Sequence, residues 1–148
     1  MPLLQSLLVQ TLKNMSENSD GVGDTIGKAI TIYTNTLVPP VAGGLKTAAD
    51  SVFIEALNKS NFLVPLPPTL GTALDVYKSA LAGIMVAKGS GTILASIPPP
   101  VPATSIVTPI FAVPQSKDVF AQSFGTALHF WFKTGIVTYT GGAVGFWI

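Results

Sequence analysis

The first part of the chain alternates apolar and polar residues with the period of a helix. Five leucines share one helical face, namely Leu3, Leu4, Leu7, Leu8 and Leu12. Polar side chains occupy the other face, and Pro2 suits a first helical turn because its missing N–H is not needed there. The pattern predicts an amphipathic helix that ends in the polar run 16–23, with the leucine face packed on a core.

Four further helices are predicted at 24–37, 45–59, 69–87 and 116–134. Asp24, Thr69 and Ser116 stand where a side-chain oxygen can cap the first turn. Pro39 and Pro40 terminate the first of these helices, since proline cannot continue the hydrogen-bond ladder. The last residues, 136–148, combine strand-forming side chains with glycines, which predicts a hairpin or an extended arm. The predicted fold is mainly α, an irregular bundle of about five helices in a single domain, 1–148.

A tract between the last two helices, 89–115, is rich in proline and apolar residues but contains no charge. Disordered segments are normally polar or charged, so the composition favours an ordered segment. Proline stiffens an extended backbone, and the apolar side chains need a surface to cover. The sequence predicts an extended strap that lies either on the chain's own helices or on those of a neighbour.

Three of the predicted helices share a short motif, which suggests repeat units at 24–41, 69–87 and 116–138. The motif is an apolar residue, Gly, any residue, Ala, then Ile or Leu, and an aromatic residue three positions later. Glycine costs about 1 kcal/mol inside a helix relative to Ala, so its recurrence indicates close backbone approach. Both duplication and chance matching remain open explanations. The residues expected to pack in the repeats are Gly27, Ala29, Tyr33, Gly71, Ala73, Tyr77, Gly125, Ala127 and Trp131.

Two stretches, 29–41 and 127–142, each combine an Ala-Ile or Ala-Leu helix that ends near an aromatic residue with a following apolar segment, Val-Pro-Pro in one and Ile-Val-Thr-Tyr-Thr in the other. In this combination they resemble small structural proteins of tailed bacteriophage virions. The resemblance implies a virion component and therefore a virion location. It carries over no catalytic residue and names no position within the particle.

The amino-acid composition shows that this chain has unusually few charged residues. Only 15 of 148 residues are Asp, Glu or Lys, or 10%, whereas an average soluble domain carries about 25%. A surface this poor in charge tends to associate, which favours a non-catalytic structural subunit whose partners are itself or other virion proteins. The residues expected at interfaces are Leu4, Leu8, Ile97, Val101, Ile106, Ile110, Phe111, Phe146, Trp147 and Ile148. Deleting 146–148 is therefore expected to impair assembly more than folding.

A membrane-active protein with a soluble precursor form is the alternative that the apolar tail and amphipathic start permit. A spanning helix needs about 20 continuous apolar residues. The uncharged stretch 89–116 is long enough but holds six prolines, and the uncharged end, 134–148, is short and rich in glycine. No convincing span is found, which makes a membrane partner the weaker expectation.

Candidate chemistry is sparse. The chain has no cysteine and one histidine, His129, which lies within a predicted helix and is expected to pack there. Glu17, Asp20 and Asp24 form the densest acidic group, but their spacing differs from that of a calcium-binding loop. No phosphate-binding glycine motif and no basic stripe is present, so nucleotides and nucleic acids are not expected as main partners. We expect no enzyme activity, cofactor, metal or small-molecule substrate.

Overall fold

The computed structural model describes residues 4–13, 26–58, 66–113 and 116–148, which form six helices and one small sheet. In chain order the elements are α1 (Gln5–Lys13), α2 (Lys28–Thr34), α3 (Gly44–Asn58), α4 (Leu66–Lys88), β1 (Ile93–Ile97), α5 (Thr104–Phe111), α6 (Lys117–Phe132), β2 (Ile136–Tyr139) and β3 (Val144–Phe146). The mainly helical class expected from the sequence is confirmed. Leu3, the acidic group of Glu17, Asp20 and Asp24, and the predicted cap at Asp24 lie outside the described residues.

Helix α4 forms the centre of the fold and packs against α3, α5 and β1. Its apolar stripe includes Leu70, Leu74 and Leu81, each with no exposed surface. The helix begins at Leu66, three residues before the predicted start, and therefore contains Pro67 and Pro68. Prolines are tolerated in a first turn because its N–H groups have no partner within the helix. Thr69 is therefore a residue of the helix rather than its N-cap.

Helices α1 and α6 pack together on another side of the core. The leucine face of α1 is buried at Leu8 and Leu12, and Gln5 Nε2 donates a hydrogen bond to Thr126 Oγ1 of α6 at 3.0 Å. Helix α6 begins as predicted, since Ser116 Oγ accepts a hydrogen bond from the Val119 N–H at 3.3 Å. The N-cap at Ser116 is thus confirmed, whereas the predicted leucine stripe of α1 is buried only at Leu8 and Leu12, since Leu4 is 36% exposed.

The described part of the strap, 89–113, is only partly extended, which corrects the sequence prediction. Strand β1 occupies its first part, but helix α5 follows despite Pro109. The helix begins where the N–H of Ala103 donates a hydrogen bond to Asp75 Oδ1 of α4 at 3.1 Å. Val107 of α5 is completely buried. A carboxylate from a distant helix and a buried valine stabilise a turn that the local sequence alone does not favour.

The sheet has the strand order β1-β2-β3, with both pairs antiparallel. The C-terminal hairpin predicted as one possibility is therefore present, but it belongs to a sheet rather than to a free arm. Strand β1, from the strap, pairs with β2 by placing Ile97 opposite Ile136, and the register shifts once between Ile93 and Ala95. Pairing a strand from the strap with the C-terminal hairpin anchors both segments to the helical core.

Candidate interaction surface

One face of the sheet is apolar and exposed. Side chains alternate between the two faces of a strand, so residues that are opposite one another in neighbouring strands share a face. The register places two rows of three residues on this outer face, namely Ile97, Ile136, Phe146 and Ala95, Thr138, Val144. We call these six residues the outer sheet face.

Three large side chains dominate the outer sheet face and are mostly exposed. The exposed fractions are 53% for Ile97, 66% for Val144 and 63% for Phe146. No Asp, Glu, Lys, Arg or His occurs in either 89–116 or 134–148, so no charged side chain of these strands borders the patch. Contiguous exposed apolar surface on a protein commonly marks a place where another molecule binds.

The opposite face of the sheet belongs to the core. Val137 and Trp147 are completely buried there. The indole of Trp147 lies directly on Gly135, where no larger residue would fit. Trp147 Nε1 donates a hydrogen bond to Ser96 Oγ at 3.0 Å, and its backbone N–H donates to the Gly135 carbonyl at 2.8 Å. The end of the chain is therefore fixed to its own fold at Trp147.

The expected interface residues consequently divide into three groups. Leu8 and Trp147 have no exposed surface, and expecting them to contact a partner was wrong because they pack inside this chain. Because Trp147 packs within this chain, we expect a deletion of 146–148 to impair folding as well as any assembly. Ile106, Ile110 and Phe111 are partly buried against the core, so this part of the strap covers the chain's own helices. The group with substantial exposure is Leu4, Ile97, Val101, Phe146 and Ile148.

The three repeat glycines each lie against a different element. A methyl group on Gly27 would come within 3.2 Å of Ile54 of α3, and one on Gly125 within 2.7 Å of Val9 of α1. At Gly71 the methyl group would overlap Thr104, the first residue of α5. Close backbone approach, which the recurrence of glycine suggested, is thus present at all three sites. Ala29 and Ala73 are buried beside them, whereas Ala127 is partly exposed.

The aromatic residue of each repeat is buried and holds a polar contact. Tyr33 Oη lies 2.9 Å from His129 Nδ1, and Trp131 Nε1 donates to the Val101 carbonyl at 2.8 Å. Tyr77 Oη donates to Asp50 Oδ1. Burial raises the pKa of both tyrosines far above the usual value for a phenol, so their hydroxyls stay protonated.

A buried lysine links three helices, a feature that the sequence analysis did not predict. Lys46 of α3 is 1% exposed, and its ammonium donates to the Thr31 carbonyl of α2 at 3.0 Å and to both carboxylate oxygens of Asp50. The same carboxylate accepts from Tyr77 of α4. Burial lowers the pKa of Lys46, and Asp50 opposes this shift. Because three acceptors occupy the ammonium, the cluster resembles a structural link more than a reactive lysine.

His129 is also enclosed. Burial, followed by repulsion from the nearby Lys133, lowers its pKa. Its Nδ1 lies 2.9 Å from the Tyr33 hydroxyl, and its ring contacts the rings of Tyr33 and Phe130 edge-on. Among the described residues, no group of three or more His, Cys, Asp or Glu side chains is arranged to hold a metal ion.

An apolar groove of about 650 Å³ lies between α3 and α4. Phe53 and Tyr77, whose rings stack with centroids 4.6 Å apart, are among its lining residues. Val52 and Val76 contribute exposed apolar surface to the same groove, at 60% and 59% exposure. The groove is a second exposed apolar region, separate in its residues from the outer sheet face.

In the part of the chain that the structure describes, one helical segment is long and apolar enough to cross a membrane. It is Pro67–Lys88 of α4, a segment of 22 residues; an 18-residue stretch within it has a mean hydropathy of 1.2, and half of that stretch is buried. Its buried leucines form the centre of the core, a position that also accounts for its apolar composition.

Comparison with known proteins provides no relative for this chain. No family model matches the sequence, and no curated protein or solved structure shows significant similarity to it.

Proposed function

We propose that this chain is a non-catalytic structural subunit of a large protein assembly, of the kind found in tailed-phage virions, and that it is located in the virion. The observation that carries the proposal is the outer sheet face, where Ile97, Val144 and Phe146 are each more than half exposed. Burying such side chains contributes about 25 cal/mol for every Å² of apolar surface removed from water. A contact with another subunit would provide this burial.

The rarity of charge supports the same role. Charged side chains normally keep a protein surface hydrated and reduce non-specific association, and here they make up only 10% of the residues. The rows of the outer sheet face carry none. The resemblance of 29–41 and 127–142 to phage structural proteins directs the proposal towards a virion rather than another assembly.

Native mass spectrometry and light scattering of the purified protein test the proposal. We expect defined oligomers, and we expect the Ile97→Lys/Phe146→Lys variant to shift them strongly towards monomer because each lysine would have to be buried at the contact. The control is Val119→Lys, which adds a charge at a residue 54% exposed on α6, outside the sheet. A wild-type protein that remains monomeric at high concentration, or oligomers that tolerate the double substitution, would overturn the role of this face.

A membrane-active form is the second candidate, and the length of α4 is the observation that favours it. Inserting α4 into a bilayer would remove Leu70, Leu74 and Leu81 from the core and so would require the fold to open. Flotation with liposomes checks this candidate. Protein that remains at the bottom of the gradient, with both neutral and anionic vesicles, eliminates it.

A further inference from the structure

The six helices contact one another in a closed cycle. Along the chain, α1 packs on α2, α3 on α4, α4 on α5 and α5 on α6. Helix α3 meets α2 where a methyl group on Gly27 would lie 3.2 Å from Ile54, and where the Lys46 ammonium donates to the Thr31 carbonyl. The contact between α6 and α1 closes the cycle. The helices that stand first and last in the sequence are therefore neighbours in the fold.

The glycine motif divides this cycle into three pairs of helices. Gly71 belongs to α4, Gly125 belongs to α6, and Gly27 immediately precedes α2. Gly27 lies against α3, Gly71 lies against Thr104 of α5, and Gly125 lies against Val9 of α1. The pairs are thus α2 with α3, α4 with α5, and α6 with α1. We call α3, α5 and α1 the partner helices, because each covers the glycine of one motif helix.

In the first two pairs an extended segment at the sheet separates the motif helix from its partner helix. Val38 lies between α2 and α3 and exchanges two backbone hydrogen bonds with Ile148, at 2.6 and 3.0 Å. Strand β1 lies between α4 and α5. The third motif helix, α6, is likewise followed by a strand, β2, but β3 comes next and the partner helix is α1. The third pair therefore has the same parts as the other two in a different chain order.

We infer that the chain consists of three equivalent units, each with a motif helix, an extended segment and a partner helix, and that the face of α6 around Gly125 is a helix-docking site that binds α1. The site recognises an amphipathic helix by its apolar face, whichever end of the chain delivers that helix. The inference goes beyond the proposed structural role, because it concerns how the subunit itself is completed.

The contacts between α1 and α6 support a docking site. Val9 fills the space above Gly125, where its Cγ2 atom lies 2.7 Å from the position of an added methyl group. Leu8, beside it, has no exposed surface. Gln5 Nε2 donates to Thr126 Oγ1 at 3.0 Å, which fixes the position of α1 along α6. These contacts involve α1 and α6 alone, so they do not require the connection through 14–25.

Rescue of a damaged α1 by a second copy of the same helix tests the docking site. Leu8→Lys in the full chain places an ammonium at a completely buried position, and we expect it to lower the melting temperature by at least about 10 °C. Residues 1–13 are then added after residue 148 through a glycine-serine linker of about 15 residues, which spans about 20 Å. Such a linker is long enough because Trp147 lies on Gly135, which is about 15 Å from Gly125 when measured along a helix.

We expect the appended helix to restore at least about half of the lost melting temperature, since it supplies the same apolar face to α6 from the other end of the chain. The matched control carries Leu8→Lys in the appended copy as well and should restore nothing. Circular dichroism follows unfolding at several protein concentrations, and a melting temperature that does not change with concentration shows that the helix docks within one molecule. If Leu8→Lys alone leaves the chain unfolded, recovery of the helical signal is the measure of rescue.

Two results would overturn the docking site. One is an equal melting temperature, or an equal helical signal, for the two appended variants. The other is a Leu8→Lys chain as stable as the wild type, because α1 would then not complete a unit. Neither measurement depends on the formation of oligomers, so failure of the docking site leaves the proposed structural role intact, and failure of that role leaves the docking site intact.

Discussion

The ammonium of Lys46 donates hydrogen bonds to both carboxylate oxygens of Asp50, one turn further along α3, at 2.9 and 2.7 Å. The lysine side chain is 1% exposed, whereas that of Asp50 is 21% exposed. The two partners are therefore not equivalent. Removing the carboxylate leaves a buried ammonium without a counter-charge, whereas removing the ammonium leaves a carboxylate that still contacts water and the Tyr77 hydroxyl.

Substitution of the two partners should reveal this asymmetry. We expect Asp50→Ala to lower the free energy of unfolding by about 3–5 kcal/mol, because it leaves a buried ammonium without its counter-charge. Lys46→Met keeps most of the apolar part of the side chain and should lower the free energy of unfolding by less than Asp50→Ala does. Urea unfolding followed by circular dichroism measures both, with Glu55→Ala on the exposed side of α3 as the control, expected within about 0.5 kcal/mol of wild type. If Asp50→Ala and Lys46→Met lowered the free energy of unfolding equally, the asymmetry of the ion pair would be contradicted.

Two glycines of α4 should respond to alanine in opposite directions. Gly83 has no neighbour within 4 Å of an added methyl group, so Gly83→Ala should stabilise the protein by about 0.5–1 kcal/mol through helix propensity. Gly71 lies against the backbone of Thr104, with Cα and N both 3.1 Å from the position of that methyl group. Gly71→Ala should destabilise by about 1–3 kcal/mol through overpacking. Thermal unfolding of the two variants provides the comparison, and stabilisation by both would disprove the close contact with α5.

The enclosed His129 should make stability depend on pH. Its pKa in the folded protein is lowered, so the unfolded chain binds a proton more tightly. The free energy of unfolding should therefore be highest above pH 6.5 or so, and should fall as the pH drops through the unfolded value of about 6.5. As His129 is the only histidine, His129→Gln should flatten the profile between neutral pH and the onset of carboxylate titration. If the free energy of unfolding of the wild-type protein were constant over this pH range, or rose towards acid pH, the lowered pKa of His129 would be refuted.

Neighbouring aromatic residues at the end of the chain should have different roles. Trp147 is completely buried, and Trp147→Ala should cost about 3–5 kcal/mol of stability. Phe146 is 63% exposed, and Phe146→Ala should change stability by no more than about 0.5 kcal/mol while weakening association. Urea unfolding and light scattering on the same samples separate the effects. A stable Trp147→Ala protein would show that the indole is not needed to hold the hairpin on the core.

Features that depend on neighbouring residues could be predicted from the amino-acid sequence. The leucine face of α1, the N-cap at Ser116 and the recurring glycines were all readable, because helical spacing, caps and small residues act over a few positions. These signals were sufficient to predict the mainly helical class and the close approach of neighbouring elements at Gly27, Gly71 and Gly125.

Which apolar residues are covered and which polar residues are buried depends instead on long-range contacts in the folded chain. Helix α5 begins where the Asp75 carboxylate accepts a hydrogen bond from the Ala103 N–H, and the Lys46 ammonium is buried where it donates to the Thr31 carbonyl of α2. Trp147 is buried through β2 and Gly135, whereas Phe146 beside it is exposed. Each outcome depends on contacts between segments distant in sequence, and such contacts leave no periodic pattern along the chain because either partner alone is compatible with many surroundings.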